Sequence, residues 1–153
     1  MFGLLGSERL HATSSGTLAM EDVLSAGVRG HPDINAIATR KPHEIEVLLW
    51  NYHDEDIPAS AAPIELTVSG LPAEARRGVL EQFLIDSDHS NAFTAWKTMG
   101  SPKSLSADQH EELQKAGQLQ LLRTPEWVSP ENRTLHLKFV LPRNGLRLLR
   151  FAW

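Results

Sequence analysis

Cysteine is absent from the 153 residues. That excludes disulfide bracing, thiolate metal sites and a cysteine nucleophile, and it leaves the compartment open. Basic excess is absent too. Lys and Arg total 15 against 19 Asp and Glu, for a formal charge of −4. Such a surface does not draw in phosphate backbones, so nucleic acid is not an expected partner. No apolar run reaches the roughly 18 residues that a membrane helix requires, so no membrane partner is expected. The N-terminus lacks the basic region and apolar core of a secretory signal. No glycine-rich phosphate loop, internal repeat or low-complexity tract occurs.

What remains is ordinary globular material, with 41% hydrophobic and 22% charged residues. This suits one domain with one core. The opening Met-Phe-Gly-Leu-Leu-Gly is an odd start for a domain. Phe2, Leu4 and Leu5 have nothing obvious to pack on at a terminus. We read this as a hint of missing upstream sequence.

Residues 1–34 carry weak signals. Ala19–Ala26 suits a short helix, and His31-Pro32-Asp33 reads as a turn. From residue 35 the pattern becomes β. Asn35–Arg40 is a first strand, and Glu44–Tyr52 is the clearest one. In the latter, Ile45, Val47 and Leu49 alternate with Glu46, Leu48 and Trp50. Ile64, Leu66 and Val68 mark another strand, and Gly78–Asp86 a further one. There Val79, Phe83 and Ile85 line one face, and Leu80 and Leu84 on the other suggest cover there too. Two helices follow, Ser90–Met99 and Ser106–Ala116. The second opens on Ser106-Ala-Asp-Gln109, the spacing of a capping box. Gln118–Arg123 is a candidate strand. Thr134–Leu141 and the segment from Leu146 alternate on either side of Pro142-Arg143-Asn144-Gly145, and we expect them to pair as a hairpin. The fold class is therefore mainly β, an antiparallel β-sandwich with a short helical insertion near residues 90–117.

Several longer segments resemble glycoside hydrolase family 39 β-xylosidases. Val47-Leu48-Leu49-Trp50-Asn51-Tyr52-His53-Asp54 is similar to a strand of that family. Ile85-Asp86-Ser87-Asp88-His89-Ser90-Asn91-Ala92-Phe93-Thr94-Ala95-Trp96, continued by Met99-Gly100-Ser101-Pro102, resembles a second segment. Leu141–Arg143 with Leu149–Arg150 resembles the closing pair of strands. The first six residues are similar to the stretch leaving the last barrel helix. The resemblance is to the C-terminal end of the family, and α-L-iduronidase is similar more distantly. It implies a connection from the barrel in residues 1–34 and an accessory sandwich in 35–153. It also implies, for the whole enzyme, a retaining hydrolase that removes xylose from xylo-oligosaccharides. The family's two catalytic glutamates belong to a (β/α)₈ barrel upstream of this region. The chain has no Asn-Glu dipeptide and is too short for a barrel of about 250 residues. No catalytic residue is carried over, and no cofactor is expected. The expected partners are the catalytic barrel, a second copy of the chain and a xylo-oligosaccharide.

Each candidate site has a plain structural explanation beside the functional one. Asp54-Glu55-Asp56 reads as solvated loop charge. His43, His53, Asp54 and Asp56 match no metal-binding spacing, so no metal site is expected. Asp88, His89 and Asn91 follow a strand and precede a helix. Ser90 or Asn91 can cap that helix, and His89 can bond a neighbouring carboxylate. The functional alternative is that this insertion, with Trp96, meets an active-site rim or a neighbouring subunit. Tryptophan faces stack on sugars but more often fill cores. Among the four, Trp127 between Pro125 and Pro130 is the one expected to be exposed.

Overall fold

The computed structural model describes residues 1–55 and 57–153. Asp56, one of the acidic loop residues considered above, lies outside the described residues. A 3₁₀ turn at Phe2–Leu4 precedes β1 (Glu8–Leu10) and α1 (Met20–Ala26). Then come β2 (Asp33–Lys41), β3 (Glu44–Tyr52), β4 (Ala62–Val68) and β5 (Gly78–Ile85). The helices α2 (Ala92–Thr98) and α3 (Ala107–Ala116) are inserted before β6 (Glu126–Val128), β7 (Leu135–Leu141) and β8 (Gly145–Ala152). All strand pairs are antiparallel. One sheet has the order β1-β2-β3-β8-β5-β6, and β4-β7 forms a second, two-stranded sheet. The expected β-sandwich with a helical insertion is present, in an asymmetric form of six strands against two.

Alternation explains the core. Ile45, Val47 and Leu49 of β3 join Leu80, Leu84, Leu149 and Phe151 in the buried cluster. Ile64, Leu66, Val68, Leu137 and Phe139 close over them from the small sheet. The other face of β3 is shut from water as well. Glu46 is 0% exposed, and Leu48 and Leu148 nearly so. Register places Thr39, Glu46, Arg150 and Glu81 in one row across four strands, so side chains of opposite charge meet there.

Two local expectations are corrected. The last two strands do not form a hairpin. β7 pairs with β4, whereas β8 pairs with β3 and β5. The Pro142–Gly145 turn exists, closed by Gly145 N–H donating to the Pro142 carbonyl at 3.0 Å, but it carries the chain from one sheet to the other. Gln118–Arg123 is not a strand. It offers a single bridge from Leu121 to Phe83, and pairing passes instead to Glu126–Val128. In β5 the core face is Leu80, Gln82 and Leu84, while Val79, Phe83 and Ile85 lie on the other side. The wall of β8 explains this, because Leu80, Gln82 and Leu84 stand opposite the inward Phe151, Leu149 and Arg147.

The N-terminal third also supplies more structure than its pattern announces. β1 pairs along β2, and β2 begins at Asp33, two residues earlier than read. α1 matches the short helix expected near Ala19–Ala26. Phe2 is 67% exposed. No helix among the described residues is long and apolar enough to cross a membrane.

Candidate functional site

The two segments that carry the family resemblance use their polar groups in folding. The first is the end of β3. Trp50 Nε1 donates to Asp33 Oδ2 at 2.7 Å, and Asn51 Nδ2 donates to the Leu141 carbonyl at 3.0 Å. His53 is buried at the centre of a junction. Its Nε2 donates to the Arg29 carbonyl at 2.7 Å, which makes Nδ1 the acceptor for the Glu55 N–H and for Arg143 Nη2. Its backbone N–H donates to Asn144 Oδ1 at 2.8 Å. Asp54 Oδ2 accepts from the Val28 N–H at 2.9 Å. Gly27, at φ 70°, lies so close that a Cβ there would fall 2.3 Å from Asp54 Oδ2. The Tyr52 hydroxyl donates to the Asp54 carboxylate, whose bond and charge hold that phenol's pKa above its usual value. Trp50, Asn51, His53 and Asp54 thus tie the end of β3 to the ends of β2 and β7, to the loop after α1 and to the turn before β8.

The second segment is the turn after β5. Asp86 is buried, and its Oδ1 accepts from the Asp88 and His89 N–H groups at 2.8 Å each. His89 Nδ1 approaches the same oxygen at 2.8 Å. Asn91 works in both directions. Its Nδ2 donates to the Asp86 carbonyl at 2.7 Å, while its Oδ1 accepts from the Phe93 and Thr94 N–H groups as the α2 cap. Ser90 is not the cap. It takes φ 52°, and its hydroxyl accepts from the Gln120 N–H, joining the turn to the returning chain. Trp96 donates from Nε1 to the Pro102 carbonyl at 3.1 Å and stacks on Phe93 with ring centres 5.7 Å apart. Phe93 is 57% exposed and carries Lys97 Nζ over its ring at 4.7 Å.

The side chain of His89 is about half exposed. The Asp86–His89 pair therefore forms a local dyad, but Asp86 Oδ1 is already committed to shaping the turn. Retaining glycoside hydrolysis needs two carboxyl groups about 5 Å apart around an open sugar site. The turn's two carboxyl groups are Asp86, buried and already accepting backbone N–H groups, and Asp88, exposed on the other side of that bonding.

Trp127 lies apart from this group. It sits on the edge strand β6 opposite Val79, at the start of β5, whereas the Asp86–Asn91 turn follows its end. Six residues of strand put roughly 20 Å between them. The residues singled out by sequence thus divide into two places. Asp88, His89, Asn91 and Trp96 belong to one turn and helix, and Trp127 stands alone. Trp127 is 64% exposed, as expected, with the Arg77 guanidinium 4.7 Å from its ring centre.

Sequence reasoning missed a third cluster inside the sandwich. Arg147 is buried in the core face of β8, 4.2 Å over the Phe139 ring. It donates to Gln82 Oε1 and, at 3.3 Å, to the Val140 carbonyl. Gln82 Nε2 donates onward to Glu126, which also meets Arg123. Burial, reinforced by the Arg123 charge, draws the Arg147 guanidinium down to about 10. Its position on the apolar phase of β8 was the available signal. No group of three or more candidate metal ligands occurs among the described residues.

This arrangement defines a β-sandwich module whose loop ends are held by side-chain hydrogen bonds. The model for glycosyl hydrolases family 39 matches residues 1–125. The chain belongs to that family. Solved structures with the same fold include the GH39 enzyme from Xanthomonas axonopodis pv. citri, at 17% identity and TM-score 0.65 over 76% of this chain. A monomeric β-xylosidase from Caulobacter crescentus CB15 follows at 16% and 0.60, also over 76%. A bacterial orthologue of human α-L-iduronidase follows at 18% and 0.63 over 79%. The aligned part is 25%, 26% and 22% of those three chains, so this chain spans about a quarter of their length. A search of curated protein sequences gave no match.

Proposed function

We propose that residues 1–153 are the noncatalytic C-terminal sandwich portion of a β-xylosidase-like enzyme, bracing its catalytic barrel and shaping subunit contacts. The observation that carries this reading is the use made of the Asp86–Trp96 segment. Its acid and imidazole are bonded to each other, its amide joins the Asp86 carbonyl to the start of α2, and the turn presents Phe93, Lys97 and the open side of His89 outward. A turn built in this way suits a contact with another folded surface. Asp88, His89, Asn91 and Trp96 then act at the rim of the barrel or of a neighbouring subunit. Met20 and Leu24, exposed one turn apart on α1, are further apolar area for such a contact.

The test is to assay the purified chain. Nitrophenyl β-xyloside turnover is expected to be nil, and calorimetric titration with xylotriose is expected to give no heat beyond dilution. Turnover that survives repurification overturns the reading.

The exposure of Trp127 favours one second reading, a free-standing carbohydrate-binding module. An open indole face is a sugar-stacking surface. Saturable xylan binding that disappears in Trp127→Ala establishes this alternative and displaces the first.

A further inference from the structure

The alternation of β6 sends Trp127 away from the core. Val128 packs against the buried cluster, so Trp127 stands on the opposite, outer face of the large sheet. Register sets it in one row with Val79 of β5 and Ala152 of β8. Both neighbours are compact and only half-buried, so they extend the exposed indole as a low apolar floor.

Arg77 gives this floor a charged rim. Its guanidinium is held 4.7 Å from the centre of the Trp127 ring. The acids on the adjoining strands are already paired, Glu126 with Arg123 at 3.0 Å and Glu81 with Arg150 at 2.8 Å. Among the described residues Arg77 has no carboxylate partner. The exposed Arg76 beside it adds a second positive charge. This is a local reversal in a chain whose formal charge is −4. A guanidinium is a planar fork whose N–H pair matches a carboxylate, and stacking on an aromatic ring fixes the fork without using those donors. A ring-shaped ligand lying on the open part of the indole would hold a carboxylate borne on its edge at the height of that fork.

We infer that Trp127, Arg77 and the floor of Val79 and Ala152 form a shallow binding site for a hexuronate, the carboxylate-bearing pyranose of acidic oligosaccharides. The C–H face of the sugar lies on the indole, and its carboxylate accepts from Arg77. A neutral pentose has the same kind of C–H face and no carboxylate, so it gains the stacking alone. The inference goes beyond the proposed function, and it holds whether the chain braces a barrel or stands by itself.

The probes are methyl β-glucuronide and methyl β-xyloside, pyranosides that differ only in the carboxylate at C5. Sodium acetate is the control for a bare anion. Each is titrated into the intact nitrogen-labelled chain at neutral pH and followed by NMR through the Trp127 indole N–H, identified by its loss in Trp127→Ala. The glucuronide is expected to shift that signal saturably in the millimolar range. The xyloside and acetate should bind about tenfold more weakly or less, the loss expected when a charge-assisted hydrogen bond is missing. Arg77→Gln should bring the glucuronide down to the xyloside level, and Trp127→Ala should remove the shifts of nearby backbone amides as well. Both side chains are exposed, so neither variant should move the melting midpoint. Three results overturn the inference: no saturable shift with the glucuronide, binding of the xyloside or acetate as tight as the glucuronide, or glucuronide binding unchanged in Arg77→Gln. Failure here leaves the proposed function standing, since that is tested by xyloside turnover and xylotriose titration.

Discussion

At the scale of single residues, the informative groups are those whose polarity contradicts their place. Arg147 occupies an apolar phase of β8, and its principal partners, Gln82 and the Phe139 ring, are neutral. Its folded value of about 10 lies below the ordinary arginine range of the unfolded chain. The unfolded state therefore binds the proton more tightly, and the charge opposes folding throughout the range below pH 10. That cost is relieved as pH rises above 10. Arg147→Met alone removes the charge but strands Gln82 Oε1, a loss of about 1–3 kcal/mol. Pairing it with Gln82→Leu removes the stranded amide as well. The double variant is expected to be at least as stable as the parent by urea denaturation, because apolar replacement of a buried polar cluster is commonly neutral or favourable. A double variant no better than Arg147→Met would show that the network contributes net stability. The residue scale also shows what sequence conceals. His53 is a candidate ligand on paper, whereas its ring is occupied on both nitrogens. Its partners Arg29 and Arg143 are 24 and 90 residues away, a juxtaposition that no local pattern encodes.

At the scale of elements, legibility follows the range of the interaction. The capping box at Ser106 is read correctly because all its atoms lie within three residues, and both of its hydrogen bonds are present. β3 is read correctly because its alternation is strong over nine residues. The closing hairpin is misread for the opposite reason. Alternation and an Asn-Gly turn are local, but the choice between pairing and crossing to another sheet is made by distant strands. β4 and β3 claim the two partners, and the turn conforms. Only Asn144 adopts positive φ, at 55°. Gly145 is required by close approach instead, since a Cβ there would lie 2.8 Å from the Pro142 carbonyl oxygen. Gly145→Ala is therefore expected to lower stability by about 1–2 kcal/mol, within the usual span for single substitutions. Asn144→Gly keeps the backbone and loses only the bond to the His53 N–H. It should cost about 1 kcal/mol or less. Chemical denaturation of the two variants separates these effects. For α2, Asn91→Ala removes the acceptor for two end amides and the donor to Asp86. A loss of about 1–2 kcal/mol is expected. It should appear as faster hydrogen exchange over residues 92–98 with β3 and β8 unchanged. Uniform acceleration through the sheet would mean that the insertion and the sandwich unfold as one unit.

At the scale of the whole molecule, the question is how residues 1–34 belong to the sandwich. Resemblance alone makes them a connection from another domain. The contacts give the first ten a structural task within the sheet. Glu46 is fully buried, and its Oε2 accepts from Thr39 Oγ1 at 2.7 Å and from the Gly6 N–H at 3.1 Å. Lys41 Nζ stands 3.3 Å from the other oxygen and donates to the Leu4 carbonyl. A carboxylate with no water needs these donors, and breaking one leaves a buried charge short of compensation. Gly6 permits the approach, because a Cβ would meet the Arg40 carbonyl oxygen at 2.3 Å. Gly6→Ala must therefore lift the N-terminal segment away from Glu46. Two results are expected together. Trypsin should cut after the exposed Arg9 at least tenfold faster, and the midpoint of thermal unfolding should fall, since the freed carboxylate must be rehydrated or remain unsatisfied. Glu46→Gln keeps the shape but weakens the acceptor and removes the carboxylate nearest Lys41, leaving it Glu44 at 4.0 Å, so it should release the same segment more mildly. If Gly6→Ala leaves both cleavage and melting unchanged, the segment is only laid on the sheet, and the boundary near residue 34 stands. If both change while β3 and β8 keep their exchange protection, the sandwich begins at its first residues. The first ten residues are then the piece that seals the only fully buried carboxylate among the described residues.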